Sequence, residues 1–230
     1  MAAELKATQP HVKVTLAHSR DKLLSAEPLP DSAKECTGDL VVESGVELLL
    51  NHRVASSKPV KDEATGREVY EVEFENGHRM IASQVLMAIS RSVPSTDFLP
   101  PAALSDKGLV NVRASMQLVP AEGVANPDTH FASGDAINWS GIKRCGAAMH
   151  EGSLAALNIY QLMLRDLRGH EPVFNELREI PPMIGLAVGH TALSCGPEGM
   201  NHGPQVMKLF FEEDLGFRSE SSALVALKSN

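Results

Sequence analysis

Apolar and polar residues change their spacing several times along the 230-residue chain, and each change marks an expected element. Residues 11–20, HVKVTLAHSR, alternate apolar and polar side chains, the period-two pattern of a half-buried strand. Residues 31–44, DSAKECTGDLVVES, read as a helix with Asp31 as its N-cap, weakly broken at Gly38 and stopped at Gly45. Val46 to Leu50 follows as a parallel strand. Alternation returns in VYEVEFENG, where Tyr70, Val72 and Phe74 share one face and Glu71, Glu73 and Glu75 the other. Asn76-Gly77 then supplies the strongest hairpin signal in the chain. A buried strand from Val85 to Ile89 is expected to close this meander, with the acidic stripe as its solvated face.

The second half starts with a hairpin expected from Leu109–Val112 and Met116–Val119. A short buried strand, Thr129 to Ser133, leads through Gly134-Asp135 and a loop into a long amphipathic helix that begins near Gly141. That helix carries small residues first (Gly141, Gly146, Ala147, Ala148) and bulky ones later (Leu154, Leu157, Ile159, Leu162, Met163). Small side chains at a helix start admit a flat ring, whereas bulky ones pack a core. Beyond Gly169, residues 181–195 hold two short strands separated by Gly189-His190, and residues 205–217 a helix ending at Gly216. Phe210 and Phe211 are assigned to the core of this last segment, with an interface as the alternative.

Composition narrows the function classes. A net charge of −8 and a pI near 5.6 exclude a nucleic-acid surface, which needs clustered Lys and Arg. The three cysteines, Cys36, Cys145 and Cys195, lie far apart with no CxxC pair, so neither a dithiol centre nor a cysteine zinc cluster is expected, and Cys145 reads as a small buried thiol, with a redox role as the alternative. The nine histidines are scattered without an HExxH motif, and His150 and His202 read as helix or loop residues; no metal site is expected. Apolar runs such as Val85 to Ile89 are far below the roughly 20 residues of a membrane span, and the start of the chain shows no signal-peptide pattern. The expectation is an acidic cytoplasmic protein.

The order strand, glycine, acid, helix at residues 129–164 carries the chemistry. Ligands of open parallel sheets sit at the carboxyl ends of strands, and helix N-termini favour negative groups. Gly134 lets a cofactor come close to the backbone, and Asp135 accepts hydrogen bonds from sugar-like hydroxyls; a plain turn is the alternative. The stretch FASGDAINWSGIKRCGAAMHEG resembles the second flavin motif of the pyridine-nucleotide-dependent flavoproteins. The branch it resembles holds the apoptosis-inducing-factor-like mitochondrion-associated oxidoreductases, ferroptosis-suppressor-like proteins among them, and the type II NADH dehydrogenases. The resemblance implies that Gly134 and Asp135 hold the ribityl chain of FAD and that Lys143 lies at the helix start near the flavin ring. The family pattern around VTLAHSRDKLL implies that Ser19 and Arg20 meet the adenosine end of NAD(P), favouring NADPH or dual use; a surface Arg paired with a carboxylate is the alternative. The chain departs from the pattern at Ser90, where the family has glycine, and at Val93 and Ser95 in VPSTDFLP, which resembles RPNTxFLP.

The fold so implied is α/β: a partial two-dinucleotide-binding-domain flavoprotein fold, with a Rossmann-like parallel sheet and β-meander, plus a small C-terminal α+β domain. Its divisions are 1–92 for the end of the NAD(P) domain, 93–170 for the end of the FAD domain and 171–230 for an interface domain. No GxGxxG turn occurs in the 230 residues, so an N-terminally truncated member is expected. The implied activity is hydride transfer from NAD(P)H to FAD and then to a small-molecule acceptor of quinone type. No protein acid or base is required for it, so no catalytic residue is nominated. The alternative is a truncated, non-catalytic binding or dimerisation module. An uncovered sheet edge points to homo-oligomers, and the family implies peripheral membrane contact and an alternative mitochondrion-associated location.

Overall fold

A computed structural model describes residues 1–89 and 93–212. They form two units, one from Met1–Ala88 with the segment starting at Met183, the other Ile89–Pro182.

The first unit is a mixed α/β assembly, as the resemblance implies. Helix α1 (Ala2–Thr8) precedes β1 (Thr15–Ala17), and α2 (Asp31–Glu43) crosses to β2 (Glu47–Leu49), which pairs parallel to β1 with Leu16 opposite Leu48. Backbone bonds extend the pairing past the strand ends: His52 N–H donates to the His18 carbonyl at 2.8 Å and Asn51 N–H to that of Arg20 at 2.9 Å. The residues after β1 are thereby held in register. Helix α2 buries Ala33, Thr37, Leu40 and Val41, a single stripe at helical spacing. Its N-cap is Pro30, with Asp31 inside the first turn, because the Asp31 carboxylate is engaged by Lys22 at 2.9 Å instead of capping the backbone. Gly38 does not break the helix.

Strands β3 (Val54–Lys61), β4 (Glu68–Phe74) and β5 (Arg79–Ala82) form an antiparallel meander in that order. Val72 and Phe74 are buried as the alternation requires, and Asn76-Gly77 makes the β4–β5 turn. The expected strand Val85–Ile89 does not form. Residues 84–89 pair with no strand, and Leu86, Met87 and Ile89 are exposed. An apolar run becomes a buried strand only where a sheet offers a partner, and β1–β2 offers none to it among the described residues. Ser90 lies outside the described residues.

The same unit contains β6 (Ile184–Val188), β7 (Thr191–Gly196) and β8 (Gly199–Gly203), an antiparallel sheet followed by α4 (Pro204–Phe210). The expected Gly189-His190 turn joins the first two strands. The Glu4 carboxylate accepts a hydrogen bond from Gly189 N–H at 3.0 Å, fastening α1 to that turn. Phe210 is exposed, contrary to its core assignment, because α4 turns it outward; Phe211 is half-buried. The helix ends at Phe210, and the expected stop at Gly216 lies outside the described residues.

The second unit holds one long helix, α3 (Cys145–Arg168), and a frame of loops cross-linked by isolated bridges. The expected 109–119 hairpin is reduced to a bridge between Val112 and Leu118, and Val110 bridges in parallel to Ile137. The expected strand Thr129–Ser133 is likewise one bridge, Phe131 to Gln117, because a 3-10 turn at Pro127–Thr129 occupies its start. The core gathers Val110, Val112, Met116, Leu118, Ile137, Ala155 and Leu177. Asn158, fully buried in α3, donates to the carbonyls of Ser115 (2.9 Å) and Asn175 (2.8 Å) and accepts from Asn175 N–H (2.7 Å). One amide side chain thus ties three segments together.

Candidate functional site

In the second unit the Gly134-Asp135 turn is set by its neighbours. Gly134 opens a 3-10 turn, Gly134–Ala136, with φ +77°, a conformation that favours glycine. Its N–H donates to Oε2 of Glu151 at 2.7 Å. Glu151 lies on the second turn of α3, is 3% exposed, and was given no role by the sequence reading. Its only sequence signal is an acid on the same helical face as Ala155, Asn158 and Leu162, all of which are buried. Small residues of α3 complete the fit: a Cβ at Gly134 would stand 3.5 Å from that of Ala148. The small start of the helix therefore admits this turn.

Asp135 is exposed, and its carboxylate makes no hydrogen bond or ion pair among the described residues. Lys143 is half-buried and donates from Nζ to the Ile137 carbonyl at 2.7 Å, folding back over the turn. The helix starts at Cys145, four residues after the expected Gly141. At φ +94° Gly141 lies outside right-handed helix, and Ile180 packs so close that a Cβ there would fall 2.9 Å from its Cγ2. Cys145, expected to be buried, is exposed at this first helical position, with its thiol 3.5 Å from the Met149 sulfur.

The first unit carries a separate cleft at the carboxyl end of β1, about 230 Å³ in volume and lined by Arg20, Asp21, Lys22, Ser25, Asp31 and Lys34. Lys22 bridges Asp31 (2.9 Å) and Glu35 (2.8 Å). The Glu35 and Asp31 contacts push the Lys22 ammonium above its ordinary range, and Lys22, with Lys34 beyond it, holds the Asp31 carboxyl below its own. Arg20 and Lys34 make no side-chain hydrogen bond or ion pair among the described residues. Ser25 Oγ lies 3.3 Å from Nε2 of His18, at the strand end. Ser19 is half-buried and is not one of the lining residues. The structure thus places Arg20 in a cleft with Ser25 and Lys34, which the sequence reading did not single out. The Arg20 site and the Gly134-Asp135-Lys143 site belong to different units.

Among the described residues no group of three His, Cys, Asp or Glu side chains is arranged to hold a metal, and no helix is long and apolar enough to cross a membrane. No protein-family model matches the chain. It is 40% identical over 218 residues to oxidoreductase OXR1 of Ajellomyces capsulatus, covering 94% of this chain and 47% of that protein. It is 29% identical over 175 residues to ferroptosis suppressor protein 1 of Mus musculus, covering 75% of this chain and 45% of that protein. The chain therefore spans about half the length of the curated relatives it matches. Its fold matches a FAD-dependent pyridine nucleotide-disulphide oxidoreductase from Desulfovibrio vulgaris with a TM-score of 0.62 at 14% identity, over 85% of this chain and 45% of that one. With the α/β architecture in place, these likenesses show the fold of the FAD-dependent pyridine-nucleotide oxidoreductases and a sequence similar to that of oxidoreductase OXR1.

Proposed function

We propose that the chain supplies part of the cofactor-binding surface of a FAD-dependent NAD(P)H oxidoreductase whose final acceptor is a small molecule of quinone type. The observation that carries this reading is Asp135, an unengaged carboxylate on a turn whose backbone is anchored by a buried acid. A flexible surface aspartate on a plain turn has no need of such an anchor, whereas a carboxylate that holds sugar hydroxyls must be fixed in place. Flavin, when bound, accepts hydride from a reduced nicotinamide and passes electrons on, so the protein's part is to bind and orient. Asp135 accepts hydrogen bonds from ribityl hydroxyls. Gly134 keeps the backbone low enough for the chain to approach. Lys143, held by the Ile137 carbonyl, retains two further N–H donors and a positive charge beside the turn. Arg20 and its neighbours at the end of β1 receive the adenosine end of the nicotinamide nucleotide. The names of the relatives, an oxidoreductase and ferroptosis suppressor protein 1, support the activity class.

The test is visible absorption of the purified chain after incubation with excess FAD and desalting. The reading expects a retained flavin band that Asp135→Ala abolishes. A colourless wild-type chain refutes binding by this chain alone and favours the second reading, a non-catalytic binding or dimerisation module. That reading draws support from the exposed apolar side chains Leu86, Met87 and Ile89, which suit a surface covered by a partner.

A further inference from the structure

We propose that His52 and His78 form a two-histidine chelating site for a divalent transition ion that takes neighbouring nitrogens at a right angle, Cu(II) or Ni(II), with water in its remaining positions. The site lies beside the meander of the first unit and does not depend on the cofactor reading above.

The two side chains meet from segments 26 positions apart, so no spacing in the sequence announces them. His52 lies between β2 and β3, and His78 immediately before β5. Their backbones are fixed without help from the rings. His52 N–H donates to the His18 carbonyl at 2.8 Å, Phe74 N–H to the His78 carbonyl at 2.9 Å, and His78 N–H to Oδ1 of Asn76 at 3.1 Å. Asn76 Nδ2 donates in turn to the Asn51 carbonyl at 3.3 Å, tying the turn to the residue before His52. Buried Phe74 walls the pair: its ring stacks on His78 with centroids 5.4 Å apart and meets His52 edge-on at 5.2 Å. Ligands held in place before the ion arrives cost little to order.

The ring nitrogens supply the chemistry. Nδ1 of His52 lies 2.6 Å from the Leu50 carbonyl, which can only accept, so in the neutral ring Nδ1 carries the hydrogen and Nε2 presents a lone pair. A metal-bound imidazole has the same arrangement, its other nitrogen donating to a carbonyl or carboxylate. Nε2 of His52 faces Nδ1 of His78 at 3.0 Å. Metal–imidazole bonds of about 2.0–2.1 Å hold two nitrogens about 2.8–3.0 Å apart when they meet at a right angle, and about 3.3–3.4 Å apart at the tetrahedral angle. The spacing here matches the first. Without an ion, a hydrogen on His78 Nδ1 bridges the pair. Binding moves that hydrogen to Nε2 of His78, and turns about the soft terminal torsions of the two rings aim both lone pairs at one point. His78 is exposed and His52 half-buried, which gives the ion its path in. The competing account is a plain hydrogen bond between the rings, which the same distance allows.

The test is isothermal titration calorimetry of the full chain with nickel chloride, with exposed Cys145 alkylated beforehand so that its thiol does not compete. One Ni(II) per chain is expected. Affinity should fall at least tenfold in His52→Ala and in His78→Ala and stay unchanged in His170→Ala, which removes an exposed histidine of the other unit. Circular dichroism checks the fold of each variant. A second readout needs no variant: the electron paramagnetic resonance spectrum of one equivalent of Cu(II) on the same alkylated chain should show coupling to two equatorial nitrogens. Absence of saturable Ni(II) binding, binding that survives either substitution in the pair, or Cu(II) coupled to a single nitrogen overturns the site and leaves His52 and His78 as a hydrogen-bonded pair only.

Discussion

Replacing Asn158 by Asp changes two atoms' chemistry and almost no volume, which makes it a sharp probe of the second unit. The native amide donates twice, to the Ser115 and Asn175 carbonyls, and accepts once from Asn175 N–H. An aspartate keeps the acceptor. It turns the two donor contacts, at 2.9 and 2.8 Å, into oxygen facing oxygen. Each lost bond is worth about 1 kcal/mol net, and each carbonyl left buried without a donor costs about 1–3 kcal/mol. Ser115 is half-buried and Asn175 exposed, so water restores part of this; the carboxylate itself, at a position with 0% exposure, gains none. The expected loss is about 3 kcal/mol, a sizeable share of the roughly 5–15 kcal/mol that holds most domains together. The assay is urea denaturation followed by fluorescence of Trp139, the single tryptophan, whose indole N–H donates to the Arg178 carbonyl within the same unit. Asn175→Ala is the matched control, because the Asn175 side chain offers only a 3.4 Å contact and its backbone bonds survive. If Asn158→Asp and Asn175→Ala unfold within about 1 kcal/mol of each other, the three-segment tie is not what stabilises this unit.

Glu151→Ala is expected to cost about 1–3 kcal/mol through the orphaned Gly134 N–H and to lower flavin retention, whereas Asp135→Ala should lower retention with no change in melting; the two effects separate anchoring from binding. Gly141→Ala should destabilise by about 1–3 kcal/mol, because its backbone is left-handed and the new methyl meets Ile180; a wild-type melting curve would contradict that geometry. Alkylation with iodoacetamide near neutral pH should modify exposed Cys145 first. Cys36 should follow slowly and accelerate as pH rises, since burial, then Asp39 and Glu43, push its thiol up and keep it protonated. Cys195, 6% exposed, should react only on unfolding; peptide mapping reads all three.

The sequence showed most plainly the elements whose cause is local. Alternation at Tyr70, Val72 and Phe74 with an Asn-Gly turn needs no distant partner to be read, nor does the Gly189-His190 turn between β6 and β7. Val85–Ile89 shows the opposite case. Its composition records only that these residues seek burial, and the neighbour that would bury them is not in the composition. The start of α3 was misplaced because small residues mark a helix's suitability for close packing but not its first turn, which the left-handed Gly141 and its contact with Ile180 delay. At the candidate sites, Asp135 and Arg20 were visible as types in a pattern. Glu151 and Lys34 were not, since an acid inside a helix and a lysine near a helix start look like solvated surface until the fold supplies their surroundings. Strand β3 was missed for a similar reason: its polar residues and Pro59 suit only an edge strand, and that position is set by the sheet order.

The first unit is assembled from both ends of its sequence, with residues 89–182 intervening. Its β6–β8 sheet therefore meets α1 and α2 only after a very long excursion of chain has been closed. Closure entropy grows with the logarithm of loop length, so this excursion costs about 2 kcal/mol more than a ten-residue connection would. Contacts of such high sequence separation also slow the search for the native state. The Glu4 to Gly189 hydrogen bond, joining residues 185 positions apart, is accordingly expected to form late in folding. Early folding of the intervening unit would shorten the effective excursion and so lower the cost of closing the first unit.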